Sequence, residues 1–224
     1  MTEHNTRKAP ALRDALVGLA CVVVADALLI AQAFVLLRLE VSRAVLLTLF
    51  PVLILVALAV PTIFLLRYLK RREIPLGFHR LGAKGWHLLW EFPAAVLFAG
   101  AGAALIGPLV GLEPTGESVA NDGSNLGIVL TLIAYLTVGP FLEEIVFRRL
   151  VMGYLDTVAP AAVSVIGSAI LFGIAHIAPQ AMIYTGFMGI ALALATRWHK
   201  SLWAGLILHF CNNLLVQAVV LGVI

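Results

Sequence analysis

Seven apolar stretches, near residues 15–37, 44–66, 88–112, 126–147, 159–178, 180–196 and 201–223, follow one another through a chain of 224 residues. A helix needs about 20 predominantly apolar residues to cross the hydrocarbon core of a bilayer, and each stretch reaches or nearly reaches that length. The expected fold is therefore all-α: a polytopic transmembrane helix bundle of about seven spans. Composition agrees, since 62% apolar residues, 12% charged residues and a mean hydropathy of +1.03 lie far outside the soluble globular range. The net charge of +3 does not point to nucleic acid, because the charges are arranged for a membrane.

Threading seven spans with the N-terminus in the cytoplasm puts Arg7, Lys8, Arg13, Arg67, Lys70, Arg71, Arg72, Arg80, Lys84, Arg148, Arg149, Arg197 and Lys200 on or near the inner side. Arg38 and Arg43 remain outside. The acidic loop over 113–125, which holds Glu117 and Asp122 and no basic residue, is expected outside as well. The first apolar run continues to Arg38 without a small-residue cleavage site, so it reads as a retained helix and not as a signal peptide. Cys21 and Cys211 both fall inside apolar runs and read as small packing residues, not as a disulfide.

A basic segment over 67–84, with Pro75, Gly77 and Gly82, divides the chain. Residues 1–85 form a two-helix membrane part with a cytoplasmic loop, and 86–224 form a five-helix part that holds all the candidate chemistry. Gly100, Gly102 and Gly107 in the third stretch are expected to allow close helix packing.

Within that second part, Glu143, Glu144 and Arg148 interrupt an apolar helix, and ionisable groups at membrane depth cost about 2.5 to 3.5 kcal/mol each. Residues four apart on a helix share a face, so Glu144 and Arg148 are placed to pair, leaving Glu143 to project from a neighbouring face as the better general base. His176 can supply an imidazole to tune it, and Phe172, four residues earlier, can wall the pocket. His209 and Asn213 also share a face, and both carry donors able to stabilise the oxyanion formed when water attacks a peptide carbonyl. At about 1.5 Å per residue His176 lies about 25 Å along a helix starting near Ala159. Glu143 reaches similar depth only if its own helix runs on past Arg149 through Leu155. That geometry predicts an Arg148 buried by protein. Elsewhere, Glu91 beside Trp86, His87 and Trp90 reads as interfacial, Asp26 as polar glue between helices, and His199 beside Lys200 as loop.

The ordered set Glu143-Glu144-x-x-x-Arg148, Phe172-x-x-x-His176 and His209-x-x-x-Asn213 resembles the CPBP family of intramembrane endopeptidases, also called the CAAX prenyl protease and Abi family. The resemblance covers about 127–224. It implies a peptide-bond hydrolase in which Glu143 and His176 activate water, His209 and Asn213 form the oxyanion site, and Glu144, Arg148 and Phe172 orient the site. The implied substrate is a membrane-embedded or lipidated peptide, of the prenylated CAAX or bacteriocin type. The implied setting is a multi-pass protein of a bacterial cytoplasmic membrane in contact with lipid.

One carboxylate and two imidazoles, Glu143, His176 and His209, also form a plausible catalytic zinc set with an open fourth position. The helix motif with two histidines four apart, known from soluble metalloproteases, is absent, and metal-free catalysis is favoured over zinc. The alternative to an enzyme is a membrane scaffold or regulator that keeps the cluster for helix packing. A proton-coupled transporter ranks third, for want of an inverted repeat. No nucleic acid or soluble partner is indicated, and oligomeric state is not legible.

Overall fold

A computed structural model describes residues 8–39, 42–111 and 125–221. The acidic loop expected outside the membrane lies outside the described residues, as does Arg7. Seven helices make up the described chain: α1 (Leu12–Arg38), α2 (Arg43–Arg71), α3 (Leu88–Ile106), α4 (Asn125–Val158), α5 (Ala161–Ile174), α6 (Pro179–His199) and α7 (Leu202–Val220). There is no strand among the described residues. Five of the helices, α1 to α4 and α7, are long and apolar enough to cross a membrane. The all-α polytopic bundle is therefore the observed fold, and its surface is correspondingly apolar: Leu89, Leu97, Leu105 and Leu109 along α3 and its C-terminal extension are each more than 70% exposed.

The expected spans are not all full ones. α5 has 14 residues and rises about 21 Å, less than the roughly 30 Å of hydrocarbon. It stops at Ile174 because a proline follows closely: Pro179 holds Ala178 in extended backbone, and Ile177 is driven to a φ of +55°. A β-branched residue in that region is strained. His176, expected on a helix, therefore sits in the turn between α5 and α6.

The main hydrophobic core draws buried residues from every helix, including Ala15, Leu58, Ala99, Ile145, Phe172, Leu192 and Leu208, and a small second cluster joins Met152, Val165 and Ala193. α1 lies against α4 so closely that a Cβ on Gly18 would stand 2.9 Å from Leu150. In α3, Gly102 seats the Phe187 ring of α6, whereas Gly100 faces open space, so the expected glycine packing applies to the first of these and not to the second.

One end of the bundle gathers the start of α1 and the ends of α2, α4 and α6. There Lys8 Nζ donates to the Arg72 carbonyl at 2.8 Å, while Arg149 donates to the carbonyls of Pro75 and Lys8 at 2.5 and 3.1 Å. Asp14 accepts from Tyr68 and Arg72 at 2.7 and 3.2 Å. Residues that sequence reading places on one side of the membrane thus meet at one end of the molecule. His199 departs from expectation. It is the last residue of α6 and not loop, its side chain is fully buried, and its Nε2 lies 3.1 Å from Glu91 on α3, a pairing that explains why both polar groups are tolerated there.

Candidate active site

The site is organised by irregularity in α4. Two segments of this 34-residue helix, Ala134–Val138 and Glu144–Val151, are π-helical, with Gly139 N–H bonded to Ala134 O and Met152 N–H to Phe147 O. Such widened turns recur at functional sites. The first has a local cause: Pro140 carries no N–H, so the Tyr135 carbonyl loses its partner five residues on. Asn213 of α7 fills the gap, donating from Nδ2 to Tyr135 O at 2.8 Å. Each amide nitrogen has two hydrogens, so the second remains for another acceptor. A relay holds this amide in place, because Tyr184 OH donates to Asn212 Oδ1 at 2.7 Å and Asn212 Nδ2 donates to Asn213 Oδ1 at 3.3 Å.

Between the two π segments lies the short α-helical turn Gly139–Glu143, which ends at the first carboxylate. His209 enters from α7 and stands between the two glutamates: Nδ1 is 3.1 Å from Glu144 Oε1, and Nε2 is 3.4 Å from Glu143 Oε2. Glu144 has no exposed side-chain surface, His209 is buried, and Glu143 keeps 26% of its side chain accessible. The two carboxylates fix the ring orientation, with Nδ1 turned to Glu144 and Nε2 to Glu143 and whatever lies beside it. α7 can approach this closely because of Gly205, one turn before His209, where a Cβ would collide with Glu144 Oε2 and with Thr196 Oγ1 of α6.

Arg148 is buried, as predicted. Its Nε lies 3.6 Å from Glu144 Oε2, and its guanidinium stacks 4.7 Å above the Phe172 ring. A cation over an aromatic face recovers part of what the buried charge loses in hydration. Phe172 does more than wall a pocket: its ring also meets those of Phe147, His176 and His209 at 5.3, 4.7 and 5.5 Å, each edge-on. It packs against arginine and both histidines at once.

His176 is half-buried, with Nδ1 2.9 Å from the Phe172 carbonyl. Its position depends on the α5–α6 crossing, where a Cβ on Gly173 would stand 2.7 Å from the Met182 carbonyl. No ion pair joins His176 to Glu143 among the described residues; both lie within electrostatic range of Asp26, a half-buried carboxylate on α1. The structure thus brings Glu143, Glu144, Arg148, Phe172 and His209 into contact, holds His176 at the rim, and ties Asn213 to α4. Residues that sequence reading did not single out are Thr196, Gly205, Tyr184 and Asn212. Gly205 carried a usable signal, since it lies four residues before His209 on the same face.

The donors do not fit a zinc site as they stand. Among the described residues no three His, Cys, Asp or Glu side chains come together around a common point, and the His176 Nδ1 is turned to a backbone carbonyl.

Residues 125–215 match the family described as type II CAAX prenyl endopeptidase Rce1-like. A protein of Bacillus subtilis (strain 168) named "Putative membrane peptidase YdiL" is 26% identical over 155 residues, covering 65% of this chain and 62% of the relative. The chain thus matches less than two thirds of that relative's length. No solved structure matches. The matched residues include Glu143, Glu144, Arg148, Phe172, His176, His209 and Asn213. The family match starts and ends with the elements described above, from the first residue of α4 to two residues past Asn213.

Proposed function

We propose that this chain is an intramembrane endopeptidase that hydrolyses a peptide bond of a lipid-bearing, membrane-associated substrate through a water activated by Glu143. The observation that carries the reading is the clamping of His209 between two carboxylates of unequal burial, Glu144 enclosed and Glu143 partly open. An enclosed carboxylate orients, and a partly open one can meet water.

In this mechanism Glu143 takes a proton from water as its oxygen attacks the scissile carbonyl, with His176 at the rim helping to hold that water. The oxyanion accepts hydrogen bonds from the second Nδ2 hydrogen of Asn213 and from His209 Nε2 when it carries a proton. Collapse breaks the C–N bond, and the departing amine takes the proton from Glu143. Glu144, itself paired with Arg148, keeps His209 aligned throughout.

Support for a lipid-bearing substrate comes from an apolar cavity of about 540 Å³ between α2, α4 and α7. Phe141 and Phe210, on the helices that carry Glu143 and His209, line it. Its lining is almost wholly apolar, with Leu136, Trp203 and Ile207 among its walls, which suits an isoprenoid or acyl chain. By the positive-inside rule the end carrying Lys8, Arg72 and Arg149 faces the cytoplasm of the cell membrane.

The test compares protein C-termini by mass spectrometry in cells expressing the native chain or Glu143→Gln at equal membrane abundance. A terminus produced only by the native chain supports proteolysis and identifies the substrate. Identical profiles with an unchanged phenotype would replace the enzyme with a scaffold whose polar cluster serves packing.

A further inference from the structure

A backbone carbonyl that can only accept sets the direction of a hydrogen-bond chain through three helices. Tyr135 O, on α4, has lost its helical donor to Pro140, so the Asn213 side chain on α7 must turn Nδ2 toward it, at 2.8 Å. That choice leaves Asn213 Oδ1 at the other end of the amide in need of a donor, and Asn212 Nδ2 supplies one at 3.3 Å. Asn212 is oriented in turn. Its Oδ1 faces α6 and requires a hydroxyl that donates, which Tyr184 provides at 2.7 Å. Neither amide can flip without setting two oxygens against each other, Asn213 Oδ1 against the Tyr135 carbonyl or Asn212 Oδ1 against Asn213 Oδ1.

Burial gives the chain its hold. Asn212, the middle link, is 5% exposed, and Tyr184 and Asn213 are half-buried, so solvent competes poorly for these bonds. The contact with Tyr135 O alone would let the Asn213 amide pivot about that bond and swing its second hydrogen. An anchor on Oδ1, at the opposite end of the amide, removes the pivot. Hydrogen bonds in series also polarise one another, so a hydroxyl donating at the far end strengthens the Asn213 N–H as a donor.

We infer, on the endopeptidase reading above, that Tyr184 and Asn212 are positioning residues of the oxyanion site: they hold the Asn213 amide plane so that its second Nδ2 hydrogen is presented to the reacting carbonyl. The site thereby extends to α6, the helix that follows the His176 turn. Pro140 belongs to the same device, because it frees the carbonyl from which the chain takes its direction.

The first measurement needs no substrate. The chain has five asparagines, so the full-length protein labelled with ¹⁵N-asparagine in detergent micelles gives a side-chain amide spectrum in which Asn213→Ala and Asn212→Ala assign the two resonances. Tyr184→Phe, which removes one oxygen, should speed solvent exchange of the Asn213 amide hydrogens by about tenfold, the scale of one hydrogen bond. Exchange at Asn213 unchanged by Tyr184→Phe would overturn the inference. The second measurement follows the new protein C-terminus as it forms over time in membranes of expressing cells. Tyr184→Phe and Asn212→Ala should each slow it by about three- to tenfold. Neither should slow it further once Asn213→Ala is present, because the relay reaches the reaction only through that amide. Equal slowing in the Asn213→Ala background would make both residues merely structural and overturn the positioning role. A native chain that produces no new terminus would remove the proteolytic reading instead, and amide exchange would still decide the relay.

Discussion

Two carboxylate–arginine pairs hang from α4, one at the edge of the bundle and one inside it, and they are built in opposite ways. Asp156 accepts two hydrogen bonds from Arg197 Nη1, at 2.7 and 2.9 Å, with both side chains about a third exposed. Glu144 and Arg148 meet at 3.6 Å, fully enclosed, with a carboxylate oxygen and all guanidinium nitrogens lacking hydrogen-bond partners. Distance alone would rank the outer pair higher. Desolvation reverses the stakes, because a buried charge left without its partner costs far more than an exposed one, while the intact buried pair adds little net stability. An enclosed pair with poor geometry is therefore better read as part of a site, in which Glu144 aligns His209.

The strongest break in the comparison moves one residue along α4. Glu143→Gln, at the partly open carboxylate beside the enclosed one, should lower cleavage by about 10² to 10⁴-fold, the usual contribution of a general base, while leaving Tm nearly unchanged. Activity within tenfold of the native chain would place the base elsewhere. Next in size is Arg148→Met, which strands Glu144 and should destabilise by about 3–5 kcal/mol in detergent unfolding. Adding Glu144→Gln should then restore stability in part; a double variant as unstable as the single one would show that packing against Phe172 dominates. Gly205→Ala tests the close approach of α7, with an expected cost of about 1–3 kcal/mol from the collision with Glu144 and Thr196. Gly100→Ala, facing open space, serves as its control and should be neutral or slightly stabilising.

The inner pair was readable in the sequence, and the reason is spacing. Glu144 and Arg148 share a helix face, and the depth argument that carried α4 past Arg149 also required a buried Arg148; the helix runs to Val158 and the guanidinium is enclosed. Helix number and type followed from apolar run length. What the sequence hid depends on hydrogen-bond register and on contacts between distant segments. A helical pattern does not announce that Pro140 and the stretch from Glu144 widen α4 into π turns, which sets where Glu143 and Glu144 point. The apolar run over 159–178 gives no sign that the helix stops at Ile174, since Ile177 and Ala178 are as apolar as the residues before them; only Pro179 marks the break. His199 read as loop because its partner, Glu91, lies 108 residues away.

The outer pair offers the smallest and most discriminating measurement. A double-mutant cycle with Asp156→Asn and Arg197→Gln should return a coupling of about 0.2–1 kcal/mol, because solvent competes for both groups and their side chains surrender rotamer freedom to meet. Raising ionic strength to about 1 M shortens the screening length to about 3 Å, so that coupling should shrink toward zero. The same salt should leave the Glu144–Arg148 coupling nearly intact, since no solvent reaches either side chain. A coupling that fades equally in both cycles would mean that water penetrates the inner pair, and the enclosed carboxylate could no longer be distinguished from Glu143 by its isolation.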